Sequence, residues 1–535
     1  MNLRRFILNL WRYGRSPKKA LFAWRAVCNY SCIAKSEWFD KEWYLRENPM
    51  LAKLGCDPVF HYLTSPHTVF TRPSPDFIEA EYCDLHGIRD SKIIPLVHFE
   101  RIGKKRGLAL SYLEVEQSGG QRDKIWTHTK ISLAKHQESF AGTEPHIRDK
   151  VRRGERIQTI FLVFSASMFP ARPLMDAMRN DPRFDVRIAV IPDLRWPGRD
   201  PIPHQEKCEK EILKTYPDSS LLKPRPGADG HWPDLLATAD IVCYPTPYDL
   251  SDFKYNPHWS VGRSFLPIQA NYFFIASQFG QTVLQLNNYN YFWKVFFEHP
   301  DILEDYTKKS LIKGANGVLV GYVKMDPLST ATPMRNPKRK CILLAPHHSV
   351  TGGYNDMMLQ SNFLRYADFF LFLPSRYPDV DFIFRPHPFL FQALSQHHVW
   401  GPEKTSRYLT SLQSNSNLIW SEGGDYLSAF ASSDGIIQDC GSFLVEYFYT
   451  GKPQCYMLKA PEDIENKFTK LGQSCLNHCY LAYDAGGIDD YIRNVIIKGK
   501  DVLAEQREAF RSQLMINHPN AAQAALETIR AAIIE

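Results

Sequence analysis

The chain has 535 residues, room for two or three domains with real cores, and its 44% hydrophobic and 13% aromatic content excludes a disordered protein. A net charge of +6 is modest for that length, and no arginine-rich array or zinc-finger spacing accompanies it, so no nucleic-acid partner is expected. The eleven cysteines are scattered and form no CxxC pair, which fits free thiols in a reducing cytoplasm better than a disulfide framework. Cys475, His478 and Cys479 lack a second ligand cluster at matching spacing, so no metal centre is expected, and no cofactor either.

Residues 1–35 open the chain with Arg4, Arg5, Arg12, Arg15, Lys18, Lys19 and Arg25 and no acid. Phe6, Ile7, Leu10 and Trp11 recur at helical spacing between the first of these charges. The pattern suits a helix on an anionic membrane face, or a basic helix packed on the protein's own surface. No apolar run approaches the ~20 residues of a bilayer span, and no secretory signal is legible. The expected location is cytoplasmic, with peripheral attachment to the inner face of the membrane as the further expectation.

Residues 36–110 contain an imperfect internal repeat. Phe39, Tyr44, Asp57-Pro58 and His61-Tyr62 are echoed by Phe77, Tyr82, Pro95 and His98-Phe99, offset by 37 to 38 residues. Each copy reads as two short helices joined at the proline. His61 and His98 stand beside aromatics, so they are expected to be structural, and the module to serve docking or packing. Residues 111–153 are polar, include Gly119-Gly120, and read as a linker containing a helix.

From residue 154 the composition changes. Ile160–Phe164, Phe184–Ile191, Asp240–Cys243 and Asn316–Val320 are buried-strand runs, with helices expected over Arg172–Arg179 and around Leu235. These make a first Rossmann-like domain, 154–330. The Pro-rich passage Pro327–Lys340 reads as a hinge. A second domain, 338–535, follows with strands at Cys341–Ala345, Asp381–Phe384, Asn417–Trp420, Gly435–Ile437 and Gln454–Met457. Helices close the chain near Asp489–Lys498, Leu503–Met515 and Ala521–Ile534. Alternating strand and helix predicts doubly wound parallel sheets.

Chemistry concentrates where strands of the second domain end, which is where open parallel sheets bind ligands. Pro346-His347-His348-Ser349 follows one strand and Arg385-Pro386-His387-Pro388 the next. Asp434–Pro453 (DGIIQDCGSFLVEYFYTGKP) reads as strand, sharp turn, helix and stop. Gly441 allows close backbone approach or a positive φ, Ser442 suits a helix cap, and Gly451 and Pro453 end the helix. A helix start with free amides, an arginine and two or three histidines on one rim together suit a phosphate.

The ordered motifs PHHS, SNFLRYADFFL, FRPHP and DCGSFLVEYFYTGKP resemble those of the CDP-glycerol glycerophosphotransferase family, which includes teichoic-acid polymerases. The resemblance spans roughly residues 155–470. It implies two tandem Rossmann-like domains of the GT-B architecture, here preceded by a small helical repeat module. FDKEWYLRENP with DPVFHYL resembles small helical repeats that accompany bacterial glycosyltransferases of surface polysaccharides. By resemblance, His387 is the catalytic or donor-phosphate histidine, and Asp439, Gly441 and Ser442 form the donor turn. Glu446 matches an acid that contacts the donor's ribose in related folds. Arg385, His347, His348 and Ser349 fit the side facing the nucleotide diphosphate, with Ser361 and Asn362 as weaker candidates.

The family's HGTP motif is missing. The corresponding region, Phe265–Trp293, carries Pro267, Asn271-Tyr272 and Asn290-Tyr291 instead, so the general base is not identified, His258 being the histidine that precedes this region in sequence. The implied partners are a CDP-glycerol-like donor and a polymer or lipid-linked acceptor hydroxyl. A GT-B glycosyltransferase using a nucleotide sugar is the alternative reading, and a non-catalytic assembly factor the third.

Overall fold

A computed structural model describes residues 17–535 except 48–50, 52–56, 65–72, 75–76, 78, 87–93, 107, 109–121, 167, 195–199, 228–231, 249, 285, 335–338, 351–359 and 423–425. The basic stretch Arg4–Arg15 therefore lies outside the described residues; the helix Pro17–Ala34 follows it. The chain forms two compact units, 1–134 with 195–198, and 135–194 with 199–535.

In the first unit the internal repeat is literal. Tyr44 Oη lies 2.9 Å from His61 Nδ1, and Tyr82 Oη lies 2.9 Å from His98 Nδ1. Phe39 tilts on Tyr44 at 5.2 Å and Phe77 on Tyr82 at 5.4 Å. Each histidine is thus a hydrogen-bonded part of an aromatic core, and burial lowers the pKa of both. The helices Lys41–Glu47 and Pro58–Thr64 make the first copy, Glu79–His86 and Pro95–His98 the second.

The second unit holds two parallel sheets. Apolar runs such as IQTIFLV and CILLA, buried on both faces, require cover by helices on each side. The strands of the first sheet are β1 (Ile157–Val163), β2 (Phe184–Val190), β3 (Leu221–Leu222), β4 (Ile241–Cys243), β5 (Leu266–Ala270), β6 (Lys294–Phe297) and β7 (Gly317–Leu319), in the order β3-β2-β1-β4-β5-β6-β7. The second sheet has β8 (Lys340–Ala345), β9 (Val380–Phe384), β10 (Leu418–Trp420), β11 (Gly435–Gln438), β12 (Gln454–Met457) and β13 (Tyr480–Ala482), in the order β10-β9-β8-β11-β12-β13. Every pairing is parallel. Both orders are Rossmann-like, and two such sheets in tandem are the GT-B arrangement that the sequence implied.

β5 and β6 were not legible. Pro267 interrupts β5, and a proline normally argues against an interior strand. Here Pro267 pairs opposite Val242, and its carbonyl accepts from Trp293 N at 2.8 Å. The expected helix around Leu235 is absent: residues 232–236 are irregular and a turn follows. Pro233 sits inside that stretch, where its ring opposes an interior helical turn.

The C-terminal helix Ala521–Ile533 returns to the first sheet, burying Ala525, Leu526, Ile529 and Ile533 among Leu174, Met175 and Met178. Its start is held by Asp326, which accepts from Ala521 N (3.2 Å) and Ala522 N (2.7 Å). Cys475, His478 and Cys479 are spent on packing. His478 stacks on Phe510 at 4.3 Å, and Cys479 Sγ donates to Cys475 O.

Candidate functional site

The loops after β8 and β9 are stitched together at the carboxyl edge of the second sheet. Arg385 N donates to Leu344 O at 2.8 Å and His387 N to Pro346 O at 3.0 Å. Asp439, fully buried at the end of β11, secures the arrangement from below. Its Oδ1 accepts from His347 N (2.7 Å) and its Oδ2 from Asn362 N (2.6 Å). Burial pushes its carboxyl up to about 7, and the two amide bonds act against that rise.

These constraints bring His347, His348 and His387 into one cluster. Ring centroids are 4.3 Å apart for His347–His348, 5.0 Å for His347–His387 and 4.0 Å for His348–His387. Burial lowers all three pKa values, to about 4 for His348 and about 3 for His387, so the rings are neutral at physiological pH.

Their tautomers follow from the hydrogen bonds. Ser349 Oγ accepts from Gln360 N (3.2 Å) and Ser361 N (3.3 Å), which leaves its proton for His347 Nδ1 at 2.8 Å. His387 Nδ1 accepts from Phe389 N at 3.2 Å. Both rings therefore carry their proton on Nε2. The three ligand atoms lie within 4.8 Å of one another, a spacing that would admit a metal ion. A ligating histidine, however, usually gives its second N–H away. Here Nδ1 of His347 and of His387 accepts, so Nε2 of each is a donor.

Beside it, Arg385 Nη1 donates to Ser421 Oγ at 2.8 Å, and its guanidinium lies 5.9 Å from the Tyr426 ring. Lys324 Nζ lies 5.0 Å from the same ring. Tyr426 in turn packs on Phe443 at 4.9 Å. Two cations from separate elements thus meet over one aromatic ring next to the turn. No spacing linked Lys324 or Tyr426 to this site in the sequence.

The turn itself differs from expectation at its cap. Cys440, not Ser442, is the N-cap (φ −92°, ψ 132°), and Ser442 is already the second residue of the helix Gly441–Glu446, with Oγ 3.5 Å from Cys440 Sγ. The first intrahelical bond is Leu444 N to Cys440 O, so the amides of Gly441, Ser442 and Phe443 precede it. A Cβ on Gly441 would meet Gln360 Oε1 at 3.3 Å and Ser277 Cβ of the first domain at 3.8 Å. Close approach at Gly441 is therefore real. Gly451 ends the helical stretch with φ +73°.

Glu446 stands apart from the rim. It is fully buried, accepts from Tyr322 Oη at 2.7 Å, and lies 3.3 Å from Lys324 Nζ. At the carboxyl edge of the first sheet, Asn271 Nδ2 donates to Glu298 Oε2 (2.6 Å), and Tyr289 Oη to Asn271 Oδ1 (2.9 Å). Asn290 is used structurally, receiving Ser310 Oγ at 3.1 Å. The side chain of His258 lies outside the described residues. Sequence reasoning missed Glu298; a single acid after an unassigned strand carried no signal.

No protein-family model matches the chain, and no curated protein matches it. Among solved structures it is similar to the wall teichoic acid polymerase TagF (12% identity, 70% of this chain and 88% of that one, TM-score 0.45). It is also similar to a UDP-GlcNAc 2-epimerase from Neisseria meningitidis bound to UDP-GlcNAc (14%, 70% and 100%, TM-score 0.42) and to S. aureus MnaA with UDP (12%, 70% and 96%, TM-score 0.42).

Proposed function

We propose that the chain is a transferase of bacterial cell-surface polymer biosynthesis that moves a glycerophosphate- or polyol-phosphate-type group from a CDP-activated donor to an acceptor hydroxyl. The observation that carries this reading is the neutral trio His347, His348 and His387, with Nε2–H donors on His347 and His387, at the edge of the sheet that also carries Arg385 and the helix start at Gly441.

In this mechanism the acceptor oxygen attacks the phosphorus that bears the polyol. A new P–O bond forms, the bond to the CMP oxygen breaks, and the hydroxyl proton passes to a base or to water. Negative charge grows on the leaving phosphate, where preorganised donors are worth most. His387 donates to that charge, and His347, His348 and Ser349 shape the same rim. Arg385 and Lys324 neutralise the diphosphate, and Ser442 adds a hydroxyl at the helix start. Asp439 positions the PHHS loop. Glu446, which resembles the acid that contacts the donor's ribose in related folds, is fully buried and held by Tyr322, so it supports the helix from beneath the rim.

A nucleotide-sugar glycosyltransferase is the second reading, favoured by the repeat module with its duplicated Tyr–His pair. A thermal-shift panel with CDP-glycerol, CDP-ribitol, UDP-, GDP- and CMP-sugars separates the two. A ligand at 100 times its Kd adds about 2.7 kcal/mol of stability. A shift with a CDP-polyol that is lost in His387→Ala and Ser442→Ala supports the phosphotransferase. A shift with a nucleotide sugar alone supports the glycosyltransferase, and no shift with any donor favours a non-catalytic assembly factor.

A further inference from the structure

The first-domain loop 271–277, between β5 and the helix Gln278–Val283, crosses to the second domain and is fastened there through its backbone. Its foot is held on its own domain by Asn271, which donates to Glu298, and by Phe274, whose ring lies 5.3 Å from that of Tyr322. Its far end meets the segment just before the helix Lys470–Leu476. Ala276 O accepts from Thr469 N at 2.9 Å and from Thr469 Oγ1 at 3.1 Å. Ser277 pairs with Phe468 in an antiparallel bridge outside both sheets, and Gln278 Nε2 donates to Phe468 O at 3.1 Å. Ala276, Ser277, Phe468 and Thr469 are all buried. Gly472 is what permits the approach: a Cβ there would lie 2.1 Å from Ala276 O.

The same loop end covers the turn after β11. A Cβ on Gly441 would meet Ser277 Cβ at 3.8 Å and Gln360 Oε1 at 3.3 Å. Cys440, which opens that turn, is half-buried, and burial raises its thiol pKa. The fastening can part without unfolding either domain. It is a single bridge plus a few bonds, the kind of contact that opens locally. Thr469 Oγ1 also accepts from Gly472 N at 3.1 Å, so the helix Lys470–Leu476 keeps its cap when the bond to Ala276 is lost.

We propose that residues 275–278 and 468–472 form a latch between the two domains, and that the latch must open before a donor reaches the turn at Cys440–Ser442. Closed, it keeps Ser277 against Gly441. When Ala276 O parts from Thr469, the loop withdraws on its foot at Asn271 and Phe274 and uncovers the turn, a gating step of the kind that loops perform at active sites. The proposal rests on the donor reading in taking this turn as the donor's, but the latch itself is tested without a donor.

Alkylation of Cys440 by N-ethylmaleimide, read peptide by peptide by mass spectrometry on the full chain, reports access to the turn. Cys341, Cys455 and Cys475, each 0% exposed, are the internal controls. Gly472→Ala, which forces Ala276 away, should label Cys440 about tenfold faster than the native chain while the controls hold. Thr469→Val should do the same, and Thr469→Ser should behave as native. Gly142→Ala, where a Cβ would meet nothing within 4 Å, is the blank. Equal Cys440 rates in the native, Gly472→Ala and Thr469→Val chains overturn the latch, as does a parallel rise in the controls. If the variants do not fold, the native chain decides: by hydrogen exchange, peptides 274–280 and 466–474 should open in one step at urea concentrations below the unfolding midpoint, and separate steps overturn the latch. CDP and UDP test its consequence. A nucleotide that binds should associate about tenfold faster with Gly472→Ala than with the native chain, and an equal rate overturns the gate. Binding of neither nucleotide to either chain counts against the donor reading, and the labelling result then decides the latch alone.

Discussion

At the scale of the residue, Asp439 does the most with one side chain. Both of its oxygens accept loop amides, so the carboxylate sets the position of His347 and, through Asn362, of the following helix Phe363–Arg376. Asn in its place has one acceptor and one donor, and its NH2 group would face an amide N–H. Asp439→Asn is therefore expected to lose one of the two bonds, costing about 1–3 kcal/mol by denaturant unfolding. It should also weaken the donor-induced thermal shift more than Ser349→Ala does, because Ser349 orients one ring and Asp439 the whole loop. Tyr322→Phe removes the sole hydrogen of the bond to Glu446 and should cost a similar amount, read in the same assay. The residues around Asp439 were legible as candidates because they are polar groups at strand ends. Which of them hold the loop was not, since a motif does not show what each oxygen accepts.

At the scale of the element, the helical stretch after β11 is fastened from its far end. Arg507, 2% exposed, sends Nε to Gly451 O at 3.0 Å and Nη1 to Asp501 Oδ1 at 3.2 Å. Arg507→Met leaves Asp501, half-buried, with Tyr480 as its remaining side-chain partner among the described residues and removes the Arg507 bond to the Gly451 carbonyl. The loss should cost about 1–3 kcal/mol, measured as a fall in the urea midpoint. Gly321 is a second fastening. Its φ is +94°, and a Cβ there would lie 2.1 Å from the Ile516 carbonyl oxygen, where the C-terminal segment crosses back to the first sheet. Gly321→Ala should therefore destabilise by more than the ~1–3 kcal/mol of backbone strain alone, and a thermal melt checks this. The strand beside it, β7, was legible from NGVLV. β5 was not, because Pro267 is tolerated only through the pairing geometry that its neighbours impose.

At the scale of the whole molecule, the neutral histidines couple stability to pH. In the unfolded chain a histidine takes up its proton near pH 6.5. In the fold His348 does so only near 4 and His387 near 3. Between those values the unfolded state binds more protons, so stability falls as pH falls from about 6.5 and is fully present only above it. Each such group contributes up to about 1.4 kcal/mol per pH unit. The double variant His348→Gln/His387→Gln should show a shallower loss of urea stability between pH 6.5 and pH 4.5 than the native chain. An equal slope would mean that the rings are protonated in the fold. Among the described residues no helix is long and apolar enough to cross a membrane.

The sequence by itself determined the alternation of strand and helix, the two tandem sheets, the repeat and the rim of candidate groups, because these follow from local periodicity, turn chemistry and composition. Only the tertiary structure decided which nitrogen of His347 and of His387 carries the proton, and that Lys324 joins Arg385 over Tyr426. It alone placed Glu446 under the Tyr322 hydroxyl and Glu298 against Asn271. Those facts depend on contacts between residues far apart in the chain, and on what burial leaves unpaired, and neither is written in any one segment.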